Sequence, residues 1–167
     1  MIRPLFLAVT LLGSALAHEP ILNPTISTRE QPFELKEPTA SKAVFGKLPA
    51  SGSVFMSMKV PKNFNLSASL WVGRDCPNAL QPEMVITFKG ETLNVRPNPY
   101  RSVSSHGVEG REGPEISTTL GTGTVLIEIR NPTNLPGTYL FSMSGTEEFK
   151  WVPQSSTWIR GFNTCKL

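Results

Sequence analysis

Phe64-Asn65-Leu66-Ser67-Ala68-Ser69-Leu70-Trp71-Val72 is the stretch that decides the fold. Phe64, Leu66, Ala68, Leu70 and Val72 fall on one side of an extended chain, while Asn65, Ser67 and Ser69 fall on the other. Successive side chains of a strand point to opposite faces, so this period of two describes a strand with one dry face and one wet face. Trp71 is the exception, because it shares the polar face with Ser69. The alternation recurs in both directions. Val54, Met56, Met58 and Val60 align within Ser53–Val60, and Val125, Ile127 and Ile129 align within Val125–Arg130. Ala43–Leu48, Met84–Lys89, Thr92–Val95 and Thr138–Met143 read as further short strands, the second and third forming a hairpin around Gly90. No window carries helical periodicity. The expected fold class is all-β, an antiparallel, jelly-roll-like β-sandwich of about seven or eight strands. Two stretches are harder to place. Arg96 to Gly113, which contains His106, reads as a long polar loop, and Trp151 to Phe162 reads as one more strand.

The amino terminus sets the expected compartment. Arg3, the apolar run Leu5–Leu12 and the small-x-small ending Ala15-Leu16-Ala17 predict a secretory signal peptide over 1–17, too short to span a membrane. Residues 18–42 read as an extended, proline-rich arm with an edge strand near Phe33-Glu34-Leu35, and 43–167 as the sandwich domain. No later stretch approaches the length of a span, and the Arg160–Leu167 ending lacks the hydrophobic tail of a lipid anchor. The protein is therefore expected to be secreted, extracellular or, in a bacterium, periplasmic. A net charge of only +3, with scattered lysines and arginines, excludes a nucleic-acid footprint. The expected partner is an extracellular protein or a carbohydrate. In an oxidising compartment Cys76 and Cys165 predict one disulfide; the alternative, free thiols as metal ligands, lacks neighbouring ligands at a suitable spacing.

The candidate chemistry is sparse. Cleavage after Ala17 would make His18 the terminus, offering an amine and an imidazole from one residue, and His106 is the only other histidine. Three such nitrogens suit Cu(II), with Tyr100, Tyr139 or Phe162 as axial neighbours. Ser104 or Ser105 with His106 and Asp75 could be drawn as a hydrolase triad, but no nucleophile elbow accompanies them. Glu109, Glu112 and Glu115 recur at intervals of three and read as a solvated loop rather than a glycosidase pair. Trp71, with Trp151, Trp158, Tyr100 and Tyr139, offers a sugar-stacking surface, although such aromatics more often fill a core. Met56, Met58 and Met143 read as core fillers, with a thioether copper site as the alternative. Asn65-Leu66-Ser67 is a glycosylation sequon in a eukaryotic host.

Two resemblances follow from these residues. Lys42–Leu48, Gln81–Phe88 and the closing strand Leu135–Gly145 resemble the order and punctuation of secreted pre-peptidase C-terminal domains and related exported sandwiches. That resemblance implies a non-catalytic accessory or binding module without a catalytic cofactor. Such domains carry loop aspartates, sometimes for calcium, whereas Asp75 is the single aspartate here. Separately, His18 and His106 resemble the histidine brace of lytic polysaccharide monooxygenases, which implies copper. The His18-Glu19-Pro20 start departs from the His-Gly of many of those enzymes.

Overall fold

The computed structural model describes residues 18–23, 27–147 and 152–167. The expected signal peptide and Trp151 lie outside the described residues. In chain order the elements are β1 (Glu19–Asn23), β2 (Phe33–Glu34), β3 (Lys42–Leu48), β4 (Ser53–Val60), β5 (Phe64–Gly73), β6 (Glu83–Phe88), β7 (Glu91–Thr92), β8 (Arg101–Ser105), β9 (Val108–Leu120), β10 (Gly123–Arg130), β11 (Gly137–Ser144) and α1 (Ser155–Asn163). They form a six-stranded sheet in the order β1-β3-β11-β5-β9-β8 and a five-stranded sheet in the order β2-β4-β10-β6-β7. The protein is a β-sandwich.

The alternation of β5 explains the packing. Phe64, Leu66, Ala68, Leu70 and Val72 are all buried, together with Val44, Phe141 and Met143 of the same sheet. Val54, Met56, Met58 and Val60 of β4 and Val125, Ile127 and Ile129 of β10 join them in the same core from the facing sheet. Full burial of each large apolar side chain contributes roughly 1.5–3 kcal/mol, so these rows hold the sandwich together. Met56, Met58 and Met143 are core fillers, as their alternation suggested.

The sandwich has more strands than the expected seven or eight, and it is not purely antiparallel. The arm strand expected near Phe33–Leu35 is present as β2; the additions are β1 in the arm and the strands β8 and β9 at the supposed loop. In the arm, β1 pairs in parallel with β3, and β2 pairs in parallel with β4. Parallel neighbours need a crossover, and the arm supplies one by passing from an edge of one sheet to an edge of the other and back. Lys42, only 1 % exposed, donates from Nζ to Glu19 Oε2 at 2.9 Å, and Asn23 Nδ2 donates to the Tyr139 hydroxyl at 2.9 Å.

The second addition is the hairpin β8–β9, where the sequence suggested a loop over Arg96–Gly113. Glycine and charged residues hid it, yet Gly110 and Gly113 are packing positions. A Cβ on Gly110 would collide with the Val72 carbonyl and crowd the Phe162 ring, and one on Gly113 would collide with the Tyr100 ring. A hairpin strand was expected over Thr92–Val95, and β7 holds only Glu91–Thr92.

The final difference is α1, where a strand was expected. Trp158, Ile159 and Phe162 pack against Ala43, Phe45, Val108 and Leu140 in a second core on the outer face of the six-stranded sheet. Phe162 meets Phe45 edge-on, with ring centroids 5.7 Å apart. The helix escaped notice because it is short, contains Gly161 and starts at Gln154 without a side-chain cap. The expected Cys76–Cys165 disulfide is present and fixes the chain just beyond the helix, which removes the thiol-ligand alternative.

Burial holds both tyrosine hydroxyls above their ordinary pKa; Tyr100 donates to the Pro82 carbonyl at 2.7 Å, and Tyr139 accepts from Asn23. The unfolded chain releases phenolic protons near pH 10 while the folded chain keeps them, so stability falls as pH rises above about 10. The expected result of an alkaline titration is phenolate absorbance that appears only in step with loss of the circular dichroism of the fold. Phenolate appearing near pH 10 in folded protein would contradict the burial.

Candidate functional site

The outer face of the six-stranded sheet is laid out by register. Across β11, β5 and β9 the rows read Ser144–Ser67–Ser117, then Ser142–Ser69–Glu115, then Leu140–Trp71–Glu112. The β5–β9 register slips by one residue between Ser69↔Glu115 and Trp71↔Glu112. The extra β9 residue falls in the Gly113-Pro114 stretch, the kind of place where a bulge accommodates proline. It carries Glu112 and Glu115, three residues apart, to the same face. Beyond the Trp71 row the second core and α1 cover the sheet. Over the other rows lies an open groove of about 650 Å³, with a floor that includes Ser67, Ser69, Ser142 and Ser144 and a wall formed by Asn94, Arg96 and Pro97.

The charges along this groove are paired. Arg96 Nη1 donates to Glu115 Oε1 at 2.6 Å, and Arg101 Nη2 donates to Glu112 Oε2 at 3.1 Å. Glu109 pairs with Arg74, which also donates to Asp75 at 2.8 Å. The three glutamates therefore sit on a strand, each with an arginine, and not in a solvated loop. The hydrogen bond from Arg74 holds the Asp75 carboxyl below its ordinary range. Asp75 is thus committed to Arg74, and the drawn Ser-His-Asp triad is not assembled.

A second, smaller pocket of about 110 Å³ adjoins the groove through Ser142, which borders both. It is lined by His18, Ala43, Trp71, Ser105, His106 and Val108, among others. The fold thus brings together His18, His106 and Trp71, which are far apart in sequence. Trp71 is half-buried at the rim of the second core, and its Nε1 donates to Ser69 Oγ at 2.9 Å. His106 and Gly107 form the two-residue turn between β8 and β9, with φ of 50° and 81°. Positive φ at both positions is the signature of a type I′ hairpin turn. Ser105 Oγ and His106 Nδ1 share a hydrogen bond of 2.9 Å.

Other sequence candidates lie elsewhere. Tyr139 is in the main core, Tyr100 packs against it, and Phe162 and Trp158 belong to the second core, so none of these lines the small pocket as an axial neighbour. Among the described residues no group of three or more His, Cys, Asp or Glu could hold a metal ion, so the two histidines have no third side-chain ligand of these types beside them. Asn65 is exposed on β5, where its Oδ1 accepts from Thr119 at 2.9 Å. The serine floor was not anticipated. Its members alternate visibly within β5 and β11, but only the register shows that they adjoin.

No family model matches this chain, and no curated protein matches it. Among solved structures, the pre-peptidase C-terminal domain of a collagenase from Bacillus anthracis is similar to it, with a TM-score of 0.45 and 11 % identity over 76 % of this chain and 96 % of that one. This is the kind of domain that the strand order and punctuation resembled. The sandwich itself is established by the chain's own sheets. No described helix is long and apolar enough to cross a membrane.

Asparagine is the residue a type I′ turn favours at the position His106 occupies. His106→Asn is expected to leave the urea midpoint unchanged or to raise stability by up to about 1 kcal/mol. A loss of several kcal/mol would show that the imidazole is part of the packing.

Proposed function

We propose that this chain is a secreted, non-catalytic module that binds an extracellular ligand on the outer face of its six-stranded sheet. One observation carries the reading: α1 covers only part of that face and leaves a polar groove running up to a half-buried tryptophan. Ligand sites are concave and use placed polar groups to fix orientation; here the polar groove adjoins a smaller pocket that Trp71 lines. The absence of catalysis is argued from pairing, since Glu109, Glu112, Glu115 and Asp75 are each engaged by an arginine. A general acid or base must be positioned to exchange a proton with substrate, and each of these carboxylates is directed at a guanidinium instead.

The test is retention on insoluble extracellular polymers, namely cellulose, chitin, collagen fibres and elastin, comparing the native protein with Trp71→Ala and Ser142→Arg. Retention on at least one polymer, falling tenfold or more in either variant, is expected. Failure to be retained on any polymer, or retention indifferent to both changes, would overturn the reading.

A second reading is favoured by the small pocket, which His18 and His106 both line. If the chain is cut after Ala17, His18 would supply an amine and an imidazole and His106 a second imidazole, a nitrogen set suited to Cu(II). In a Cu(II) titration of protein secreted with His18 as its terminus, this reading expects a stoichiometric type-2 electron paramagnetic resonance signal with nitrogen hyperfine structure. That signal should be lost in His106→Asn, which preserves the turn. A signal unchanged by the substitution would remove the brace.

A further inference from the structure

The groove has a chemistry of its own, apart from the rest of the outer face. Its residues are unusual choices for a sheet. β-Branched and aromatic side chains stabilise strands, yet Ser67 and Ser69 of β5, Ser142 and Ser144 of β11 and Ser117 of β9 all border one space. Serine adds little to strand stability, but it leaves a low floor and presents a hydroxyl with one donor and two acceptor lone pairs. Rows two residues apart along a strand are roughly 6.6–6.8 Å apart, and neighbouring strands are about 4.8 Å apart. The hydroxyls therefore form a lattice that can be donor or acceptor at every point.

The charges beside this lattice are balanced. Arg96 is matched by Glu115 and Arg101 by Glu112, so the groove carries no excess of either sign from these pairs. The carboxylates still offer spare lone pairs, and the guanidiniums spare N–H groups. The row that follows the serines contains Trp71, whose ring is steadied by its hydrogen bond to Ser69. Trp71 lines the small pocket that shares Ser142 with the groove, so an aromatic side chain adjoins the hydroxyl lattice, and that combination suits a molecule with hydroxyls along its edges and C–H groups on its faces.

The position of β5 in the sheet argues against strand addition over the centre of the groove. Peptides that bind sandwiches by strand addition need a free sheet edge. Here β5 is paired on both sides, with β11 and β9, so its backbone groups are occupied and only side chains face the groove.

We infer that the serine-floored groove over β11, β5 and β9 binds a neutral, polyhydroxylated chain, that is, an uncharged glycan, with one sugar ring set toward Trp71. This inference rests on the binding-module reading and names the ligand class for that face. The probes are soluble cellohexaose, chitohexaose, laminarihexaose and xylohexaose, added to ¹⁵N-labelled full-length secreted protein and followed by backbone and indole shifts. At least one sugar is expected to move Ser67, Ser69, Ser142 and the Trp71 indole together. Ser117→Val and Ser142→Val place strand-favouring residues on the floor, so they should fold at least as well as the native chain and weaken that sugar's binding tenfold or more. No shift with any sugar, shifts confined to residues outside the groove, or unchanged affinity in both valine variants would overturn the inference. Retention on collagen or elastin without any sugar response would overturn it while leaving the binding-module reading intact; no response to polymer or sugar would remove both.

Discussion

A strand that buries one face must do something with the other, and that constraint organises this molecule. In β5 the inward row Phe64, Leu66, Ala68, Leu70 and Val72 is buried between the sheets, so Ser67, Ser69 and Trp71 are obliged to face outward. A sheet in water can leave its outer face polar, as antiparallel sheets commonly do. This chain divides the face instead. One end carries the apolar residues Phe45 and Leu140 and is dried by α1, and the other carries serines and stays wet. Trp71 stands at the border, which accounts for a tryptophan beside serines.

The border is held in place by the carboxyl-terminal segment. The Cys76–Cys165 bond ties the chain just after α1 to the loop following β5. Closing so long a loop restricts the unfolded chain by roughly 4–5 kcal/mol in the chain-entropy model. Thr138 Oγ1 donates to the Phe162 carbonyl at 3.0 Å, and the Asp75 amide donates to the Asn163 carbonyl at 2.9 Å. Asn163 then reaches the hairpin: its Oδ1 accepts from the Glu109 amide and its Nδ2 donates to the Gly107 carbonyl, both at 2.9 Å. The helix end therefore supports the turn that presents His106. The disulfide does more than staple the tail; through Asn163 it helps define the rim of the small pocket.

Strands with a clean period of two could be read from the chain. Ser53–Val60 matches β4 residue for residue, and Phe64–Val72 falls one short of β5, because alternation reports burial on one face directly. What stayed hidden involves contacts between distant residues. Gly110 and Gly113 look like loop residues until Phe162 and Tyr100 are seen lying over them. Pro114 looks like a strand breaker until the register slip beside it is known. The arm's strands pair in parallel through a crossover, and no local pattern announces a partner that distant. Of the candidate site, Trp71 was legible from its place beside Ser69 and His18 and His106 as the only histidines, but their meeting in one pocket depends on the arm and the hairpin being strands.

The arm is where architecture and site are coupled. Lys42 is 1 % exposed, and an ammonium so placed needs a carboxylate; Glu19, at the start of β1, provides it. Removing one partner of a buried pair is costly because the remaining charge is left in a poorly solvating place, so the pair favours a docked β1. Asn23 anchors the other end of β1 through the Tyr139 hydroxyl, inside the main core. Between these anchors β1 is a short edge strand, and edge strands held by backbone pairing alone fray readily. Because His18 immediately precedes Glu19, the ion pair that docks the arm also carries His18 to the pocket wall, and because Ser142 borders both spaces, the state of that wall bears on the end of the groove. The groove and the small pocket are therefore parts of one surface, joined at Ser142 of β11, and Lys42 bears on the His18 side of the pocket.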